Sequence, residues 1–248
     1  MSVPGTFFGI GVGPGEPGLM PVIAWESLKR CDVIFVPRAQ TRERSVARRC
    51  LPANEIPDER FREIEFTMEA DRKRLHEHYA SVAETIAAEL RVGKDAAWLT
   101  IGDPMVYSTY IYTLAALKDR MPELRHRIFP GITSYCALAA AAEFPLGEGK
   151  ERVLILPCPD EMQELRAAIG AHDIVVLMKI SGRLPAVLAL LREMHIATNC
   201  VFGRHVGMDH QVIHHNLNEM DAEESLGYLA TMLIRKSPPQ KRQAGVQS

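Results

Sequence analysis

Paired cysteines, long apolar runs and an excess of one charge are all missing from this chain of 248 residues. Its five cysteines, Cys31, Cys50, Cys136, Cys158 and Cys200, are scattered singly, with no C-x-x-C pair and an odd total. That pattern argues against a disulfide framework or a cysteine-based zinc site, and for reduced thiols in a cytoplasmic compartment. No apolar run approaches the roughly 18 residues that suggest a membrane span. The opening MSVPGTFFG has no basic stretch followed by a long apolar one, so no signal peptide is expected. Lys and Arg (29) nearly balance Asp and Glu (31), for a net charge of −2. No global basic field points to nucleic acid, and aromatics, at 6%, are too sparse for interleaved base stacking. What remains is an ordinary globular composition, 47% hydrophobic and 24% charged, at a length that suits one large or two medium domains.

Glycine, in contrast, is concentrated. Residues 7–18, FFGIGVGPGEPG, hold five glycines and two prolines. Gly13 to Gly18 fits G-x-G-x-x-G, the dinucleotide fingerprint, but the physics of that fingerprint fails. It needs backbone N–H groups aimed at a pyrophosphate from a helix start. Pro14 and Pro17 have none to give. The stretch calls for a tight, rigid backbone that something approaches closely, and not for a phosphate cradle.

Along the chain, strand and helix patterns alternate. Thr6–Gly11, Asp32–Pro37 and Asp95–Thr100 read as strands, the last two as continuous apolar runs of buried parallel type. Helices are expected over Leu19–Cys31, with Pro21 in its first turn, over Glu69–Arg91, with Gly93 as the residue after its end, and over Tyr107–Asp119. Residues 52–63 read as polar and turn-rich. After a connector, MPELRHR, the alternation restarts with RIFPGITS, then VLILP, DIVVLMK and NCVFG as strands, with helices over 134–142 and near 160–169 and 183–194. HQVIHHNL and GYLATMLIRK read as late strands with antiparallel pairing. The expectation is two α/β domains with mainly parallel sheets, 1–120 and 121–236, joined near 119–126, and a disordered tail over 237–248.

Three glycine-proline turns stand at strand ends: GVGPGEP, TIGDP and PGITS. Ligands of parallel α/β sheets bind at the carboxyl ends of strands, so the three turns are expected to converge on one cleft between the domains. In this order and separation they resemble the tetrapyrrole methylases, the class III S-adenosylmethionine-dependent methyltransferases, over about residues 5–236. The F-x-M…G-K-D…T-x-G-D-P-x-x-Y-S-T run, with PLGEGKERVLILP and DIVVLMK, is similar to the branch that methylates C20 of precorrin-2 in cobalamin synthesis. Glu16 stands where the family usually has Asp, which predicts a shifted hydrogen bond. Pro21 stands where it often has Thr, which predicts a changed helix cap.

The resemblance implies S-adenosylmethionine as methyl donor, S-adenosylhomocysteine as product, a tetrapyrrole acceptor and a homodimer. It implies that backbone groups of Ile101, Gly102, Asp103, Val106, Thr133, Ser134 and Met178 grip the donor, with the His205-Val206-Gly207 strand end as a further wall. Asp103 suits the donor's ammonium, and reads equally as a turn Asp before Pro104. Thr133 and Ser134 read also as N-caps, and Met178 as core. Pro14, Gly15, Arg38 and Tyr107 would face the tetrapyrrole, whose eight carboxylates call for cations. Residues 38–49 supply five arginines, Arg38, Arg42, Arg44, Arg48 and Arg49, which read also as a solvated basic face. Arg38, directly after the strand-ending Pro37, is best placed. A local argument for the dimer is the stripe Leu75, Tyr79, Val82, Ile86, Leu90, which needs either its own sheet or a second subunit.

Methyl transfer from a sulfonium needs neither a metal nor a covalent nucleophile, and the proton acceptor is not named by the sequence. His205, His210, His214 and His215 are crowded and His76 and His78 form H-x-H, but neighbours on a strand point to opposite faces. No second ligand set is spaced for a closed site, so no protein-bound metal is expected. Cobalt can enter with the substrate. Three other readings stay open: a methylase of the same fold acting at another ring carbon or on uroporphyrinogen, one acting on RNA or protein, and a non-catalytic nucleotide-binding module.

Overall fold

The computed structural model describes residues 3–39, 45–66, 72–221 and 229–238. The chain divides into two compact units, Met1–Ser134 and Tyr135–Ser248.

In the first unit five strands form one sheet: β1 (Phe7–Gly11), β2 (Val33–Ala39), β3 (Phe61–Phe66), β4 (Ala96–Thr100) and β5 (His126–Phe129), in the order β3-β2-β4-β1-β5. Every pairing is parallel. Among the described residues the α-helices of this unit are α1 (Val22–Arg30), α2 (Val46–Arg49), α3 (Arg72–Arg91) and α4 (Tyr110–Arg120). They sit on both faces, as parallel strands demand. Ala24 and Leu28 of α1 and Ala47 of α2 bury against Ile10, Ile34 and Leu99. On the opposite face Val82, Ile86 and Leu90 of α3, with Leu114 and Leu117 of α4, cover Phe7, Phe35 and Trp98. Val82, Ile86 and Leu90 of the α3 stripe thus pack on its own sheet.

The second unit holds β6 (Val153–Pro157), β7 (Ile174–Met178), β8 (Cys200–Arg204), β9 (Val212–His214) and β10 (Ala230–Arg235), in the order β6-β7-β10-β8-β9. β6 and β7 are parallel. β10 lies antiparallel between β7 and β8, and β9 closes the edge antiparallel to β8. The antiparallel pairing expected for the last strands is found. One face carries α6 (Met162–Ala171) and α7 (Leu184–Glu193), which bury Leu165, Ile169, Val187 and Leu191 against Leu177, Phe202 and Met232. On the other, Leu138 of α5 (Ser134–Ala141) meets Val176, Val201 and Leu233.

Four expectations need correction. β5 was expected to open the second domain, yet it pairs with β1, so the division falls at 134/135 and not near 119–126. Residues 61–63, expected as turn, begin strand β3, which pairs with β2; its exposed edge position lets charged residues alternate with apolar ones. α4 starts three residues late, after a loop in which Tyr107 holds φ +50°. α1 likewise starts three residues late, at Val22, with Pro21 as its N-cap and not inside its first turn.

Other local readings hold. Pro21 is the N-cap of α1 and supplies no side-chain bond, as its lack of a hydroxyl dictates. Gly93 ends α3 at φ +89°, with its N–H bonded to Leu90 O and Lys94 N–H to Glu89 O, a paired C-terminal closure that favours glycine. Arg42 and Arg44 lie outside the described residues, as do residues 239–248 of the expected tail.

Candidate functional site

The three turns singled out by their glycines follow β1, β4 and β5, adjacent strands of the first sheet, at their carboxyl ends. They are in direct contact. Val12 N–H donates to Thr100 O at 2.9 Å and Gly102 N–H to Gly13 O at 2.8 Å. A Cβ on Gly131 would lie 2.0 Å from Gly102 O and 2.8 Å from Gly11 Cα, and one on Gly11 would lie 2.6 Å from Gly131 N. Only glycine lets three backbones meet at that spacing. Gly102, at φ +71°, meets no atom nearer than 3.9 Å in the direction of its missing Cβ. At Gly102 it is the left-handed backbone that favours glycine, whereas at Gly11 and Gly131 it is the lack of space.

Asp103 ties the second turn to the third. Its Oδ1 accepts Met105 N–H at 2.8 Å and its Oδ2 accepts Gly131 N–H at 3.0 Å. Val106 N–H donates to Asp103 O at 3.3 Å, and the Ser108 hydroxyl donates to Pro104 O. The loop from Ile101 to Thr109 is thus held by its own bonds. Tyr107 in this loop is 43% exposed and holds a left-handed conformation that costs of order 1–3 kcal/mol for a non-glycine residue. Ile101 packs on the apolar layer below. Thr133 is buried and Ser134 begins α5. Pro14 and Gly15 are buried beside these turns.

Arg38 closes β2 toward its carboxyl end. Its guanidinium is paired twice, Nε with Glu63 at 2.9 Å and Nη2 with Glu65 at 2.7 Å, both on the neighbouring β3. Sequence reasoning named the cation and missed these partners. Their signal is the alternation in FREIEF, which puts both glutamates on one strand face. Arg48 pairs with Asp58 and stacks on Phe61, while Arg49 is exposed.

In the second unit Met178 ends β7, and its carbonyl accepts Cys158 N–H at 2.7 Å. Lys179 and Ser181, just beyond, hold φ +55° and +44°. Their turn is braced by Arg183, which donates twice to Asp160 and once to Lys179 O. His205 follows β8 at φ +51°. Val206 is buried in the α5 layer, and Gly207 N–H donates to Gln211 Oε1 at 2.8 Å. Left-handed non-glycine residues thus follow the carboxyl ends of β4, β7 and β8. Strain of that kind concentrates where function requires it.

Two buried groups near these loops are no proton acceptors at neutral pH. Burial pushes the Tyr110 phenol above its ordinary range and likewise raises the Cys158 thiol. Among the described residues no three His, Cys, Asp or Glu side chains cluster as metal ligands, and no helix is long and apolar enough to cross a membrane.

Two α/β units, one wholly parallel with glycine turns locked at its strand ends, define a class already represented among solved structures. The fold matches a cobalt precorrin-4 methyltransferase, CbiF, with a TM-score of 0.69 at 19% identity, over 94% of this chain and 96% of that one. It matches the uroporphyrin-III C-methyltransferase of Thermus thermophilus, crystallised with S-adenosylhomocysteine, with a TM-score of 0.59 at 19% identity, over 93% and 97%. The family model of the tetrapyrrole (corrin/porphyrin) methylases matches residues 6–221, and the chain belongs to that family. The cobalt-precorrin-2 C(20)-methyltransferase of Salmonella typhimurium is 28% identical over 232 residues, covering 94% of this chain and 97% of the relative. A probable cobalt-precorrin-2 C(20)-methyltransferase of Methanocaldococcus jannaschii is 31% identical over 229 residues, covering 92% and 95%.

Proposed function

We propose that this chain transfers a methyl group from S-adenosylmethionine to C20 of precorrin-2 or its cobalt complex, in cobalamin biosynthesis. The observation that carries this reading is end-to-end similarity to two relatives named for that reaction, each matched over more than nine-tenths of both chains. The cobalt-containing acceptor is the first to test, because both relatives are named for it.

The donor supplies an activated methyl: the acceptor carbon bonds to it, the carbon–sulfur bond breaks toward sulfur, and a proton leaves the acceptor carbon. The protein's task is alignment and exclusion of water. A rigid surface of backbone groups suits that task, and the locked turns supply one. Ile101, Gly102, Asp103, Val106, Thr133 and Ser134, with Met178, Val206 and Gly207 of the second unit, are our assignment for the donor. Pro14, Gly15, Arg38 and Tyr107 are our assignment for the tetrapyrrole. For Arg38 this means that a substrate carboxylate competes with Glu63 and Glu65. We further place the protein in the cytoplasm, on the single spacing of its five cysteines, which suits reduced thiols. We take it as a homodimer on the family resemblance.

Calorimetric titration with S-adenosylhomocysteine and with NAD tests the donor assignment. The reading requires binding of the first and none of the second. Binding of NAD alone would make the chain a nucleotide-binding module of another kind.

A further inference from the structure

Both oxygens of the Asp103 carboxylate are engaged by main-chain donors, and the donors belong to different loops. Met105 lies in the loop that Asp103 itself opens, and Gly131 in the loop that leads from β5 into α5. The carboxylate is half-buried, where bonds from N–H groups to an ionised acceptor are roughly twice as strong as neutral ones. It acts at the same place as the glycine contact. Gly102, the residue before it, presses its carbonyl to within 2.0 Å of where a Gly131 Cβ would stand. A loop approach that close has to be held, because it forfeits the freedom of two glycine-rich segments. Asp103 holds it from one side and the Gly102 to Gly13 hydrogen bond from the other.

We propose that Asp103 is a positioning residue: it staples the β4 loop to the β5 loop, and it shapes the donor-binding surface through those two amides instead of gripping the donor's ammonium. The proposal rests on the reading that this surface binds S-adenosylmethionine. It assigns a different job to the carboxylate within that site. Each carboxylate oxygen already accepts one loop amide, so the carboxylate's place is set by the loops that it joins.

The two roles separate in a paired titration. The full-length protein and Asp103→Asn are titrated with S-adenosylhomocysteine and with its analogue lacking the α-amino group. In the variant an amide NH2 replaces one acceptor oxygen, so one of the two loop N–H groups loses its partner. The expected result is a loss of about tenfold to hundredfold in affinity, by the same factor for both ligands. A loss confined to S-adenosylhomocysteine, with the analogue binding both proteins equally, assigns Asp103 to the ammonium and overturns the proposal. Unchanged affinity for both ligands overturns it as well. If the unmodified protein bound neither ligand, the donor reading itself would fall, and the staple would be decided separately by hydrogen exchange. The same measurement decides if Asp103→Asn does not fold. In the ligand-free protein the Gly131 and Met105 amides are expected to be protected, and free exchange at both refutes the staple.

Discussion

The Gly102 amide donates to the Gly13 carbonyl at 2.8 Å, and this one bond joins the turn after β1 to the turn after β4. The turn after β5 closes on the same point through Gly131. Gly131→Ala forces a Cβ to 2.0 Å from Gly102 O, a backbone atom that cannot rotate away. Overpacking of this kind costs about 1–3 kcal/mol, or roughly 2–12 °C in thermal midpoint for a chain of this size. The expected outcome in a thermal melt is a drop in that range. S-adenosylhomocysteine affinity, read by calorimetry on the folded variant at low temperature, falls with it. A variant with the unmodified midpoint and affinity would mean that the turns separate without cost.

Arg38 lies between two glutamates. A substrate rich in carboxylates gains from the arginine and loses from its partners. Arg38→Ala is expected to raise KM for the tetrapyrrole by about one decade, the lower end for a charge-assisted bond because the guanidinium is partly exposed. Glu65→Gln is expected to lower KM a few-fold. Steady-state kinetics on both variants checks the pair of signs. An Arg38→Ala protein with normal KM but a lower thermal midpoint would assign Arg38 to bracing β2 against β3.

Much of the scaffold was readable because local chemistry and burial agree. β2, β4 and β7 are apolar runs between turn residues, and Gly93 closes α3 where a left-handed residue is needed. β3 was not readable as a strand, because an edge position tolerates Arg62, Glu63 and Glu65 and blurs the apolar signal. The unit boundary was misplaced because β5 follows a polar connector, and only its long-range pairing with β1 says which sheet it joins. At the site, the glycines announced a close approach, but not to what. Sequence reasoning expected a ligand there; the structure puts Gly11, Gly102 and Gly131 against one another. Long-range partners were also out of reach. Nothing local pairs Asp103 with an amide 28 residues on, or the buried Arg235 with Glu151 and Pro145 O.

The cysteines differ sharply in access. Cys136 is exposed and the other four are buried. Burial pushes Cys31 and Cys200 up to about 12 and Cys50 to about 11, so little reactive thiolate forms at neutral pH. A thiol-reactive dye is expected to label one cysteine per chain quickly, with the other four reacting only in denaturant. Mass spectrometry identifies the residue. Fast labelling of any second cysteine would contradict the buried assignment.

Asp173 accepts Arg152 N–H at 2.8 Å, chiefly for that reason holding its carboxyl below its ordinary value of 3.8. A lowered folded-state value means stability that is present above the unfolded value and lost as pH falls through the folded one. The midpoint gap between the unmodified protein and Asp173→Asn is therefore expected to be constant near neutral pH and to close below about pH 4. Melting curves across that range test it. A gap that widens on acidification would reverse the sign and refute the account of the β6–β7 start.

The central claim is methyl transfer to one carbon of one ring. The most direct measurement incubates the protein with S-adenosylmethionine carrying a labelled methyl, separately with cobalt-precorrin-2 and with metal-free precorrin-2, and reads product mass and carbon NMR. The account predicts a product heavier by one methyl-for-hydrogen exchange in at least one incubation, with the label on C20 and an equal amount of S-adenosylhomocysteine formed. Label on a different ring carbon, or no transfer to either acceptor by a protein that binds S-adenosylhomocysteine, would contradict it.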